Sequence, residues 1–173
     1  DIGNIADNIG DNRMPLKTVE IPHLGKSFKM GRRARPVSGP RLRMSRYMKY
    51  LPDIPASCNY APKASPVLSN IYLNDRLGDC VIAGGYHIVG VETGNAGNLF
   101  KASDSQIISD YSRIGGYVPG KPSTDNGCNE QDALNYWTQK GFANGTKLLG
   151  WISIDATSKY QVMAAMYLFE NLM

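Results

Sequence analysis

The stretch CVIAGGYHIVGVE, residues 80–92, constrains this chain more than any other. Its side chains are apolar or small nearly all round a helix, so a helix here has no face to offer to water and has to be buried. Asp79 stands directly in front, where its carboxylate is placed to accept the open N–H groups of a first turn. Gly84 and Gly85 each cost such a helix about 1 kcal/mol, which points to another backbone passing close. TGNAGN ends the run.

Further helices follow. SDSQIISDYSRIGG places Ile107, Ile108, Tyr111 and Ile114 on one face, with Ser103 or Asp104 as cap and Gly115 and Gly116 as stop. CNEQDALNYWTQKG sets Ala133, Leu134 and Trp137 on one face and has Gly141 past its end. KLLGWISID alternates enough for one or two strands, and ATSKYQVMAAMYLFENLM reads as a fourth helix. Before all of these, LPDIPASCNYAPKASPVLSN is Pro- and Ser-rich and reads as extended surface chain.

Residues 1–50 differ in kind. They hold eleven Lys and Arg against four Asp and Glu, whereas residues 51–173 are net acidic, within a total of +4 over 173 residues. DIGNIADNIGDNRMP is turn-forming, KTVEIPHLG allows one extended segment, and nine cations with no acid lie between Lys26 and Lys49. Arg41 to Tyr50 is read as a short basic helix. Such a segment buries too little apolar surface to fold alone. The expected division is therefore an extended basic arm, 1–50, and a folded body, 51–173. An ordered arm of this kind needs its own body or protein partner subunits to hold it, and Lys26–Lys49 offers nucleic acid a charge-based contact without a recognised binding motif.

No apolar run reaches the length of a membrane span, and no charged-then-apolar leader is visible, so neither membrane nor secretory signal is expected. Three cysteines, Cys58, Cys80 and Cys128, argue against a disulfide framework, and with His23 and His87 they match no zinc spacing. No metal and no cofactor is expected, and compartment is left open.

Cys80 has two readings. A free cysteine often packs as a small apolar residue. At a helix N-terminus, however, open N–H groups and the helix dipole favour the thiolate, the attacking species in acyl transfer. Its own N–H and the Asn74 amide, six residues upstream, would be the donors for a developing oxyanion. His87, seven residues on, is about 10 Å away along a helix axis and out of reach of the sulfur. His23 lies in the arm, and nothing in EIPHLGK orients it.

The order of segments in SPVLSNIYLNDRLGDCVIAGGYHIVGV resembles the papain-like cysteine peptidases, with a Pro-rich lead, an amide-bearing loop and a Gly-x-Cys turn opening a long buried helix. SDSQIISDY, NGCNEQDALNYW and SIDATSKYQVMAAMYLFENLM echo later segments of that family in order, so the resemblance spans about residues 51–173. It implies an α+β, papain-like fold, a helical Cys-bearing half with few strands behind a basic arm. It also implies Cys80 as nucleophile and Asn74 in place of the family's oxyanion glutamine. Val81 replaces the usual aromatic after the nucleophile, and Leu77 replaces the cysteine that would pair with Cys128. The family's base is a histidine far downstream, and none follows His87 here.

Two functions are therefore expected. One is peptide or amide hydrolysis, conditional on a downstream His-bearing segment. The other is a catalytically inactive structural subunit of a large assembly, such as a viral capsid or tail component, using its arm for subunit or nucleic-acid contacts.

Overall fold

The computed structural model describes residues 16–33 and 41–172. The turn-rich reading of residues 1–15 and the Pro/Gly-interrupted stretch 34–40 lie outside the described residues.

The apolar run forms α2, Cys80–Asn95, and is buried on nearly every side. Ahead of it, α1, Ser65–Leu68, follows the 3-10 turn Pro62–Ala64. Behind it come α3, Asp104–Gly115, and α4, Glu130–Gln139, and near the chain end α5, Lys159–Phe169. One core joins Val81, Ile82, Tyr86 and Val89 of α2 to Ile107 and Tyr111 of α3 and to Ala133 and Trp137 of α4. Phe142 stacks on Trp137 with centroids 4.3 Å apart and touches Tyr86. Tyr86 donates to buried Asp110 at 2.6 Å, and both Asp110 oxygens also accept from Ala143 N–H, so this polar pair is satisfied inside the core.

A close backbone approach falls at Gly94, in the far half of α2. A Cβ on Gly90 would lie 2.4 Å from Val67 Cγ1, and one on Gly94 would lie 2.9 Å from the Lys63 carbonyl. The α1 region therefore crosses the far half of α2, and the helix runs through Thr93 and Gly94 to Asn95, past the start of the expected TGNAGN stop. Asn95 Nδ2 ties this end to Tyr60 O at 2.9 Å.

Helix ends follow local chemistry. Ser103 and Gln106 cap α3 reciprocally, and Gly116 stops it in the left-handed region. The α4 helix begins two residues after Cys128, because Asn129 accepts from the N–H groups of Gln131 and Asp132. Asp79 departs from expectation. Its side chain makes no capping bond, and its φ of −97° and ψ of 17° are not those of an extended capping residue.

Strands are few and short, giving a mixed helix-and-strand chain. β1, Lys17–Ile21, pairs antiparallel with β2, Lys26–Met30, with Val19 opposite Phe28. β3, Arg32–Arg33, runs parallel to β5, Cys128–Asn129. β4, Leu42–Arg43, runs parallel to β6, Ile152–Ser153. The single extended segment read in KTVEIPHLG is thus half of a hairpin. The basic helix read over Arg41–Tyr50 is β4 plus two 3-10 turns, Met44–Arg46 and Met48–Tyr50. Only Ile152–Ser153 of KLLGWISID is strand. A second, smaller core joins Met44 of the arm to Ala164 and Ala165 of α5. The described part of the arm is therefore held by the body through two strand pairs and a buried methionine.

Gly90→Ala is expected to destabilise the fold by about 1–3 kcal/mol, since overpacking outweighs the helix-propensity gain. Urea denaturation measures this, and Val67→Ala in the same chain should recover part of the loss.

Candidate functional site

The site is built where three backbones meet. Gly31, between β2 and β3, is sandwiched between Gly78 and Gly127. A Cβ on Gly31 would stand 1.7 Å from the Gly78 carbonyl oxygen, and a Cβ on Gly127 would stand 1.8 Å from the Gly31 carbonyl oxygen. Gly127, at φ 72°, also lies in the left-handed region that favours glycine. Cys128 N–H donates to Gly31 O at 3.0 Å, so the arm runs here as an added strand.

Asn74 fastens the arm one step upstream. Its backbone carbonyl accepts from Lys29 N–H at 2.8 Å, and its Nδ2 donates to the Lys29 carbonyl at 2.9 Å. The same amide donates to Leu77 O at 3.2 Å. Tyr72 and Leu73, just before it, have φ of 51° and 70°. Two successive non-glycine residues in the left-handed region store strain of order 1–3 kcal/mol each, which the surrounding packing has to offset. Asn74 is held on a tight, unusual loop and is itself buried.

Asp125 is the electrostatic centre. Its Oδ1 accepts from Gly78 N–H at 2.8 Å and from the Tyr111 hydroxyl at 2.6 Å, and its Oδ2 pairs with Lys29 Nζ at 3.1 Å. Tyr111 in turn accepts from Gly127 N–H at 2.8 Å. Burial alone would raise the Asp125 carboxyl, but the hydroxyl, the N–H and the ammonium together hold it below its usual range. Both glycine walls and the arm lysine thus share one network. Further along, Arg32 pairs with Glu130, and Arg33 Nε donates to Asn126 O at 2.7 Å.

Cys80 opens α2 beneath this strand and is half-buried. Its thiol does not show the depressed pKa expected of a helix N-terminus. Burial pushes it up; Gly31, Arg32 and Val81 N–H groups oppose this, and Asp79 adds to the rise. With the arm in place, desolvation wins over the helix end. Asp79 is fully buried, and neither carboxylate oxygen has a hydrogen-bond partner. Burial pushes its carboxyl up to about 8; nearby Asn74 opposes the shift but commits its N–H groups to Lys29 and Leu77. Asp79 is thus largely neutral at neutral pH. Cys128, 1% exposed, is driven by burial up to about 12 and is inert in this state.

The structure brings Asn74 and Cys80 to the same arm segment and brings neither histidine to them. His87 lies with Nε2 2.8 Å from Asn70 O and its ring 5.0 Å from that of Tyr72, and burial lowers its pKa. His23 is exposed in the 3-10 turn Pro22–Leu24. Lys29, Gly31, Tyr111, Asp125 and Gly127 are the site residues that sequence reading missed as a group. A shared signal was faint: Gly31, Gly78 and Gly127 each precede or follow a residue of interest, but only the fold stacks them. Among the described residues, no cluster of three or more His, Cys, Asp or Glu could hold a metal ion, and no helix is long and apolar enough to cross a membrane.

Comparison with family models, curated proteins and solved structures gave no match.

Asp79 generates a pH prediction. Its unfolded carboxyl ionises near the ordinary aspartate value of 3.8 and its folded one near 8, so the folded state holds the extra proton between them. Stability therefore falls as pH rises through that window, by up to about 1.4 kcal/mol per pH unit. Asp79→Asn should match the parent near pH 4 and exceed it by several kcal/mol at pH 8, as read from urea midpoints. An equal midpoint difference at both pH values would remove the buried neutral acid.

Proposed function

We propose that the body is the Cys-bearing half of a papain-like cysteine peptidase, with Cys80 as nucleophile and Asn74 as oxyanion donor, silenced by its own arm. The observation that carries this reading is the Asn74 Nδ2 bond to a peptide carbonyl, that of Lys29, on the strand that covers Cys80. An amide already holding a carbonyl in front of a helix-start cysteine is doing, for the arm, what an oxyanion donor does for a substrate.

In the reaction, the Cys80 thiolate would add to a substrate carbonyl carbon. Negative charge on the oxygen would be met by Asn74 Nδ2 and by the Cys80 N–H, which as a first-turn helix group has no helical acceptor. The amine would leave with a proton, and water would hydrolyse the acyl-thioenzyme. Proton transfer needs a histidine, which would have to come from a segment downstream of residue 173. Hydrolysis is conditional on that segment. The arm would hold the site silent in two ways, by filling Asn74 and by desolvating the thiol.

The test is labelling with a peptidyl fluoromethyl ketone, followed cysteine by cysteine in mass spectra. Lys29→Ala removes the Asp125 latch and should raise the Cys80 rate at least tenfold, with exposed Cys58 as an unchanged internal standard. Equal slow labelling of all three in both proteins would sink the nucleophile reading.

A second reading, an inactive structural subunit with protein partners, draws on exposed apolar side chains. Tyr160, Tyr167 and Phe169 of α5 and Leu149 before β6 are each exposed, and large apolar side chains left in solvent suit a contact surface. It predicts an assembly in size-exclusion chromatography with light scattering. A strictly monomeric mass at high protein concentration would count against it. Nucleic acid at Lys26–Lys49 ranks lower, since Lys29 and Arg32 are already paired with acids.

A further inference from the structure

We propose that the slot over Cys80 is a glycine-reading peptide groove, which takes an extended segment of the pattern basic, any residue, glycine, basic, basic. This rests on reading the cleft as a peptidase groove and adds to it the class of peptide that the groove accepts.

The glycine requirement comes from the Gly78 wall. The atoms that a Gly31 side chain would meet are the Gly78 carbonyl oxygen, carbonyl carbon and Cα, at 1.7, 2.3 and 2.7 Å. All are backbone, so no side-chain rotation relieves the clash. Gly78 cannot simply retreat. The Gly78 N–H is tied to Asp125, whose carboxylate is held in turn by the Tyr111 hydroxyl. On the other side the Gly31 carbonyl is bonded by Cys128 N–H beside Gly127. The gap is one backbone thick.

The flanks read charge. The residue two before the glycine meets Asp125 through its ammonium, while its N–H and carbonyl are taken by Asn74. The residue after the glycine meets Glu130, and the next one donates to the Asn126 carbonyl. Met30, between lysine and glycine, is 49% exposed, so its position reads nothing. Backbone contacts set direction and register, acids select cations on both sides, and the Gly78 wall excludes every residue that has a Cβ. Lys29–Arg33 is then the resident copy of the motif, and a separate peptide of the same pattern competes for its place.

The experiment uses the full chain and two fluorescein-labelled octapeptides, Lys-Ser-Phe-Lys-Met-Gly-Arg-Arg and the same peptide with alanine for its glycine. Gly31→Ala expels the resident segment, and Lys29→Glu, run in parallel, frees it without touching a glycine. Anisotropy should show both variants binding the glycine peptide at least tenfold tighter than the alanine peptide. The parent chain, with its slot filled, should bind the glycine peptide at least tenfold more weakly than the variants do. Equal affinity for the two peptides, or no binding of either, overturns the proposal. Loss of the folded near-ultraviolet signal in both variants also overturns it, because the strand would then be a fixed part of the core. The assay reads binding alone. Glycine-selective binding without Cys80 labelling would end the peptidase reading and keep the groove, and labelling without glycine selectivity would do the reverse.

Discussion

Three glycine backbones pressed together, Gly78, Gly31 and Gly127, set the geometry on which the rest of this structure depends. Gly78 lies two residues before the start of α2, Gly127 three residues before the start of α4, and Gly31 belongs to the arm. Their contact fixes how far these two helix starts stand apart and threads the arm between them. Without Cβ atoms the chains come close enough for the Cys128 to Gly31 hydrogen bond, and β3 can pair with β5 only because of that approach. Asp125 locks the arrangement by accepting from Gly78, Tyr111 and Lys29 together.

Two electrostatic consequences follow. A strand laid over Cys80 removes water from the sulfur, and the loss outweighs the N–H groups that surround it. Asp79, directly before Cys80, is buried and unpartnered. A buried acid with no donor is an expense that a fold made for stability alone would shed by carrying asparagine or serine, and its place beside the candidate nucleophile suits a site whose electrostatics change when the cover leaves.

Much of the helical body was legible in the sequence, because periodicity and caps are local. Ser103, one of the two caps read, and Gly116 bound α3, and the all-round apolar character of residues 80–92 required the burial that α2 has. What stayed hidden was non-local. Lys29 and Asp125 are 96 residues apart, and no pattern around either announces the pair. The paired strands over 32–33, 42–43, 128–129 and 152–153 are two residues long, too short to alternate visibly. Asp79 was misread as a cap because residue type and position were right; the backbone angle and the burial, set by the glycine stack, were not readable. Asn74 and Cys80 were singled out by chemistry, and the structure brings both against one arm segment. The papain-like reading of that pair remains our proposal.

Amide hydrogen exchange at the stack tests the account most directly. Lys29 N–H is bonded to Asn74, Cys128 N–H to Gly31 and Gly78 N–H to Asp125. If one contact holds arm, loop and helix start together, these three amides are protected and open in one event, with a common dependence on denaturant. Exchange of Lys29 and Cys128 at the rate of an unstructured peptide, while the α2 core amides stay protected, would show that the arm does not occupy the slot and would contradict the account.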